Sequence, residues 1–309
     1  MATVLITGCS SGIGLQTALA FARRGDTTYA SMRNPAKAGR LRERAGAERL
    51  DVRVLALDVT DDASVTEAVR EVEAAHGAVD VLVNNAGVNH VGSVEATPLD
   101  QARAVMETNF WGALRTARAV LPAMRRRGCG VVVNVSSLAG RTWTVPYGGF
   151  YAAGKSGLGA ISEALAGEVA PFGVRVVCLE PGSFATDVHA NALVTDGTPG
   201  GPYDADEAWV RTFLAGTGEG AGDAGVVADA IVAAATDPAT PLHTLVGEEA
   251  RAAVEMTAKV SYDDWFPQFV HYAQSVAGPR PPAPATPATP ATPATPATPA
   301  MPTTPRGGR

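Results

Sequence analysis

Cysteine is scarce in this chain, and its placement excludes more than its number. Three occur among 309 residues, Cys9, Cys129 and Cys178, far apart and without metal-ligand spacing. Neither a disulfide framework nor a metal module is expected, and a reducing, cytoplasmic setting is. No run of about 18 apolar residues exists to span a membrane. No basic leader followed by an apolar stretch precedes residue 30, so no signal peptide is expected. A positive surplus is lacking as well. The net charge is -6, which argues against nucleic acid or an anionic membrane as the main partner. What is present is a globular composition, 46% hydrophobic and 18% charged, long enough to bury a sizeable core.

Short apolar runs at 2–7, 27–32, 52–57, 79–83, 131–137 and 174–179 read as strands. Helical spacing separates them, up to about Arg24 and over 35–46, 61–76, 98–127 and 151–171. This alternation predicts a doubly wound parallel sheet, whose ligands bind beyond the C-terminal ends of the strands. After residue 187 the rhythm breaks. The stretch 188–222 reads as a substrate lid, with a helix over 205–216 and a glycine hinge from Gly216 to Gly222. Phe184, Tyr203, Trp209, Phe213 and Leu214 there line a pocket or pack the lid itself. Helices at 223–236, 248–257 and 261–276 and a last strand at 242–246 complete one domain, 1–277. From 278 to 309 Pro, Ala and Thr take over, with an Ala-Thr-Pro repeat from Ala285. That tail is expected to be disordered and polyproline-like.

The chemistry-bearing residues fall at the strand ends. Gly8, Ser10, Ser11, Gly12, Ile13 and Gly14 form a G-x-x-x-G-x-G turn between the first strand and its helix. Glycines let a pyrophosphate approach the backbone, and a helix N-terminus offers free N–H groups. No acid ends the second strand to hold a ribose 2′-hydroxyl. Arg33 stands there, either pairing with a 2′-phosphate or lying on the surface. Asp58, followed by Val59, accepts from an adenine amino group, caps the next helix together with Thr60 and Asp61, or does both. Asn84, Asn85, Ala86 and Gly87 form a turn able to tie two loops together. Asn109, in the middle of a helix, either faces solvent or marks a break. Ser136 and Ser137 end the fifth strand. Tyr151 and Lys155 are four apart, on one helix face. A phenol titrates near ~10, and an ammonium beside it lowers that value toward useful acid–base chemistry.

These residues resemble the short-chain dehydrogenase/reductase family. The matching elements are TGCSSGIG at 7–14, Asp58-Val59, NNAG at 84–87, Asn109, NVSS at 134–137, Tyr151-x-x-x-Lys155, Pro181-Gly182 and Thr186. TGCSSGIG, YASMRNP and PGSFATD look closest to the branch with 17β-hydroxysteroid and retinol dehydrogenases. Gly154 departs from the serine common before the lysine.

The resemblance implies a Rossmann-type, single-domain enzyme of the homodimer or homotetramer kind. It implies hydride transfer between NADP(H), preferred over a possible NAD(H), and a small-molecule ketone or secondary alcohol. That substrate would be apolar, in the manner of a steroid, retinoid or polyketide. By position, Tyr151 is the proton donor, and Lys155 tunes it and grips the nicotinamide ribose. Ser137, followed by Leu-Ala-Gly140, fits the family pattern better than Ser136 and steadies the oxygen. Asn109 holds a water, and Pro181, Gly182, Phe184 and Thr186 frame the nicotinamide. Two other readings compete. A catalytically silent nucleotide sensor or scaffold needs only the glycine turn, and an epimerase or dehydratase usually needs a longer C-terminal domain.

Overall fold

The computed structural model describes residues 1–185, 193–194, 201–218 and 222–282. Thr186, residues 188–192, 195–200 and 219–221 of the expected lid, and the tail from residue 283 lie outside them. The strands are β1 Thr3–Ile6, β2 Thr27–Met32, β3 Val52–Ala56, β4 Val81–Asn84, β5 His90–Val91, β6 Gly130–Val135, β7 Val174–Pro181, β8 Phe184–Ala185, β9 Leu193–Val194, β10 Gly222–Asp223 and β11 His243–Val246. The helices are α1 Gly12–Arg23, α2 Gly39–Glu48, α3 Asp62–His76, α4 Leu99–Met106, α5 Gly112–Arg127, α6 Gly149–Val169, α7 Asp204–Gly218, α8 Ala224–Thr236, α9 Glu248–Lys259 and α10 Tyr262–Ala277.

Seven strands form one sheet in the order β11-β7-β6-β4-β1-β2-β3, every pair parallel. Helices cover both faces, so the strands read as continuous apolar runs. Val4 and Ile6 of β1 face one core, with Leu15, Leu19 and Phe21 of α1 and Val227 and Ile231 of α8. Leu5 points the other way, toward Val65 and Val72 of α3 and Val120 and Met124 of α5. That alternation is the two-residue period of a strand. The chain leaves β1 toward β2 and later returns to β4 on its other side. A crevice therefore opens beyond the strand ends at that reversal.

Two expectations are corrected. The helix expected over 98–127 is α4 and α5 joined by a π-helical turn, Glu107–Trp111, with Asn109 buried inside it. Asn109 does not face solvent. The glycine hinge expected from Gly216 does not begin there, because α7 runs on through Gly216 to Gly218. A β-carbon at Gly216 would lie 2.5 Å from Val276 of α10, so this glycine serves close helix packing.

Behind the crevice lies a buried polar chain. Asn84 donates to the Ala113 carbonyl at 3.0 Å and to Asn134 at 2.9 Å. Asn134 in turn donates to the Ser162 hydroxyl at 2.8 Å. A buried donor or acceptor left unpaired keeps its full desolvation penalty. Asn134→Ala is therefore expected to destabilise the protein by about 2 kcal/mol. A urea melt should show a lower midpoint with an unchanged slope, and an unchanged midpoint would refute the role of this chain.

Candidate active site

The turn after β1 is built from backbone rather than side chains. Gly8 sits at φ +74 and Gly12 at φ +54, the left-handed region open to glycine. Ser11, at the N-cap of α1, makes no side-chain cap bond, and no acid sits in the first helical turn. The positive end of α1 thus points into the crevice with free N–H groups, which suits a phosphate. Gly14 works from behind, since a β-carbon there would meet Asn85 Nδ2 at 2.5 Å. Asn85 holds the two loops together. Its side chain donates to the carbonyls of Thr7 at 2.9 Å and Gly8 at 3.2 Å. The Thr7 hydroxyl accepts from the backbone N–H groups of Asn85 and Ala86, both at 3.0 Å.

A cleft of about 1230 Å³ follows the strand ends. Gly8, Ser10, Ser11, Gly12, Ile13, Arg33, Asp58, Val59, Asn85, Ala86, Gly87, Ser137, Tyr151, Lys155, Pro181, Gly182 and Phe184 line it. Gly14 and Asn109 lie just behind it. Asp58 accepts from the backbone and hydroxyl of Thr60 at 3.0 and 2.8 Å. Of the three residues expected to cap α3, Asp61 is the N-cap and accepts from Ala63 and Ser64. Beside Arg33 stands Lys37, a second cation at the same end of the cleft. Sequence reasoning passed over Lys37, although its place four residues beyond Arg33 was available as a signal.

The polar groups at the other end meet around α6. Tyr151 lies in its first turn and Lys155 in its second. Burial pushes the pKa of the Tyr151 phenol up, and the nearby Ser137 hydroxyl pulls it down by less. The phenol therefore keeps its proton at neutral pH. Ser136 is buried and donates to the Lys155 carbonyl at 3.0 Å, so of the two serines Ser137 is the one facing the tyrosine. The Lys155 Nζ donates to the Val135 carbonyl at 2.8 Å and sits 5.9 Å from the centre of the Tyr151 ring. Burial lowers its pKa to about 8. The lysine expected to pull the tyrosine down is thus itself weakened by desolvation. Asn109 donates to the Val88 carbonyl and accepts from the Val88 N–H, both at 2.8 Å. Gly154 follows from this packing, because a β-carbon there would lie 3.3 Å from that of Asn109.

The substrate end is mostly apolar, with Val91, Val145, Phe213, Leu214 and Val276 among its walls. His90 is a polar residue among them. It is buried with neither ring nitrogen partnered, and burial keeps its pKa low. Nothing in the local sequence flagged it.

A family model described as short chain dehydrogenase matches residues 2–196. The chain belongs to that family. It is an oxidoreductase that moves a hydride between an NAD(P) nucleotide and a CH–OH group. The chain is similar to 3-ketodihydrosphingosine reductase of Bacteroides thetaiotaomicron, 38% identical over 195 residues, 63% of this chain and 68% of the relative. It is similar to retinol dehydrogenase 8 of Bos taurus, 41% identical over 195 residues, 62% of each chain. The solved structure of a short-chain dehydrogenase from Streptomyces avermitilis superposes with a TM-score of 0.73 at 32% identity, covering 89% of this chain and 97% of that one.

One other cluster needs a reading. Cys178, Glu180 and His243 bring ligand atoms within 4.8 Å of one another. His243 already bridges Glu180 at 2.8 Å and Glu163 at 2.9 Å. Arg141 stands 3.6 Å from Glu180, and burial pushes the Cys178 thiol up to about 11. With its partners already taken up and its thiol protonated, the cluster serves as a hydrogen-bonded tie between β7, β11 and α6.

The buried ammonium predicts a stability signature. The folded protein holds Lys155 near 8, against 10.5 for an ordinary lysine. Between those values the unfolded chain binds more protons, so stability rises with pH across that window. Lys155→Met removes the charge and keeps the stem. It is expected to stabilise the protein on the order of 2 kcal/mol at pH 7, with the advantage shrinking between pH 8 and 10.5. Urea melts at both ends of the window check this, and a variant less stable at pH 7 would overturn it.

Proposed function

We propose that the protein is an NADP(H)-dependent reductase of an apolar ketone, or dehydrogenase of the matching secondary alcohol. The observation that carries the reading is the meeting of the Tyr151 phenol and Ser137 hydroxyl above Lys155, at one end of a cleft that begins at the uncapped N-terminus of α1. The glycine turn fits a dinucleotide. Gly87 fits it too, because a β-carbon there would press on Asn109 Oδ1 at 3.3 Å, beside Lys155. Ser10 to Ile13 would hold the pyrophosphate, Asp58 and Val59 the adenine, and Lys155 the nicotinamide ribose. Pro181, Gly182 and Phe184 would frame the ring.

When bound, the nicotinamide supplies or takes the hydride. The chain supplies the proton and the geometry. In reduction, Tyr151 gives its phenolic proton to the substrate oxygen, which gains negative charge as its carbon is reduced. Ser137 donates a hydrogen bond to that oxygen and steadies the charge as it develops. A phenol whose burial keeps it protonated suits this direction. Lys155 lies next to the phenolate that remains, and Asn109 beneath it holds the water through which a proton returns.

Arg33 and Lys37 support NADP(H), because two cations and no acid meet the end of β2. The apolar walls support an apolar substrate. A groove between α5 and α6 lined by Leu121, Pro122, Leu165 and Phe172 supports assembly into a homodimer or homotetramer through those helices. A silent nucleotide sensor is the second reading. It leaves the Ser137–Tyr151 pair without a purpose.

Tyr151→Phe is expected to lower kcat at least about a thousandfold in an NADPH absorbance assay over a panel of ketones, with NADPH binding by calorimetry unchanged. Near-normal turnover in the variant would sink the assignment, and a wild type silent on the whole panel would favour the sensor. Arg33→Asp combined with Lys37→Ala is expected to raise KM for NADPH at least tenfold, about 1.4 kcal/mol, and to shift preference toward NADH. An unmoved preference would remove both cations from the cofactor reading.

A further inference from the structure

Beyond β11 the chain returns to the substrate end of the cleft. Helix α10 packs on α7 through Trp209, Phe213, Trp265 and Phe269, with the rings of Phe213 and Phe269 edge to face at 5.4 Å. Tyr272 and Val276 of α10 wall the cleft. The helix ends at Gly278, whose carbonyl accepts from Trp209 Nε1 at 2.8 Å.

Two residues later Arg280 turns back across α7. Its Nε and Nη2 donate to the two carboxylate oxygens of Asp206, each at 2.7 Å, a bidentate pairing with fixed geometry. The guanidinium also lies over Trp209 and Phe266, 5.7 and 6.0 Å from their ring centres. Asp206 accepts a third bond, from the Tyr147 hydroxyl at 2.8 Å. Arg280 thereby reaches, through one carboxylate, a residue four positions before Tyr151.

Tyr147 is an unusual place to grip. It sits at φ +64, a conformation bulky residues avoid and keep only where their surroundings over-determine it. Its carbonyl accepts from Gly92 N–H at 2.9 Å, so the residue is held at both its backbone and its side chain. Trp143, Thr144, Val145 and Gly148 of this segment line the cleft. It is gripped a second time where Trp143 Nε1 donates to the Val260 carbonyl at 3.1 Å.

We propose that Arg280 is a positioning residue for the reaction. Through Asp206 and Tyr147 it fixes the segment leading into Tyr151, and it holds α10 as the apolar wall against which a ketone is presented to that tyrosine. The charge state suits a permanent brace. Arg280 keeps the Asp206 carboxyl below its ordinary range, while burial and Asp206 push the Tyr147 phenol up. Asp206 accepts and Tyr147 donates throughout the neutral range. This role rests on the reading of the cleft as a ketone or alcohol site.

The test uses the full chain with Arg280→Gln, Arg280→Lys, Tyr147→Phe and the Arg280→Gln/Tyr147→Phe double variant. Hydrogen exchange reads the brace directly. In Arg280→Gln the amides of Val145 to Phe150 should exchange about tenfold faster, while those of the central strands stay as in the wild type. Steady-state kinetics, on the ketone that the wild type reduces best in the panel, read the role. Arg280→Gln should raise KM for that ketone about tenfold with the Kd for NADPH unchanged. Arg280→Lys should recover part of the loss. Tyr147→Phe should reproduce much of it, and the double variant should add less than the sum. Unchanged exchange overturns the brace. An unchanged KM, or a loss that follows NADPH binding or global unfolding, overturns the positioning role. A wild type that turns over no ketone or alcohol overturns the functional reading instead, and the exchange result then stands separately.

Discussion

The burial of the Lys155 ammonium is the constraint around which the site is arranged. An unpaired charge inside a protein carries a heavy desolvation cost, and here folding provides a backbone carbonyl, that of Val135 at 2.8 Å. Every element that reaches this point comes with a polar group or with no side chain. Gly87 leaves room beside Nζ. The π turn carries Asn109 into the gap, where the carboxamide occupies both backbone groups of Val88. Gly154 lets α6 approach that asparagine. Ser136 bonds the backbone of Lys155 itself. Among the described residues the lysine is thus enclosed without a carboxylate partner, and a bound dinucleotide offering ribose hydroxyls would improve its surroundings. Stability is given up where binding recovers it, as functional sites commonly do.

The frame was the easiest part to read from the sequence, for a physical reason. A parallel strand covered on both faces is apolar at every position, so runs such as VLI in β1 and VRVVCL in β7 stand out. Glycine and capping signals between them set the helix starts. The π turn was harder. Residues 107–111 keep helical composition, and the extra residue per turn follows from burying Asn109 against Val88, a contact between segments about twenty positions apart. Asn109 was readable as an anomaly but not as a geometry. Gly216 misled in the opposite sense. A glycine signals freedom in sequence, yet in α7 it serves contact with Val276.

The same distinction separates the two ends of the cleft. At the end proposed for the nucleotide the candidate recognition groups belong to consecutive residues, because a turn and a helix N-terminus are local structures. Gly8 through Gly14 could be identified without knowing the fold. The Thr7 hydroxyl that joins this turn to Asn85 and Ala86 was less visible, since its partners come from another strand. At the substrate end almost nothing is local. Tyr147, Asp206 and Arg280 meet from three segments separated by tens of residues, and no spacing announces them. His90 is a buried imidazole in a run that reads as ordinary loop.

Tyr147 and Tyr151 show what the fold adds to residue type. They are phenols four apart, flanking the start of α6, and intrinsic chemistry does not choose between them. Burial raises the pKa of both, so burial does not choose either. Their partners do. The Tyr147 hydroxyl donates to a carboxylate that Arg280 keeps ionised, so giving up its proton would set two anions against each other. That phenol is locked as a donor and serves as a brace. The partner of Tyr151 is the neutral hydroxyl of Ser137, which lowers its pKa, and the nearest cation is Lys155. Loss of its proton leaves an anion beside a hydroxyl and an ammonium, the one arrangement of the two in which a proton can leave and return. On the proposed reading, a bracing tyrosine and a reactive one thus differ here in the sign of the charge placed next to them.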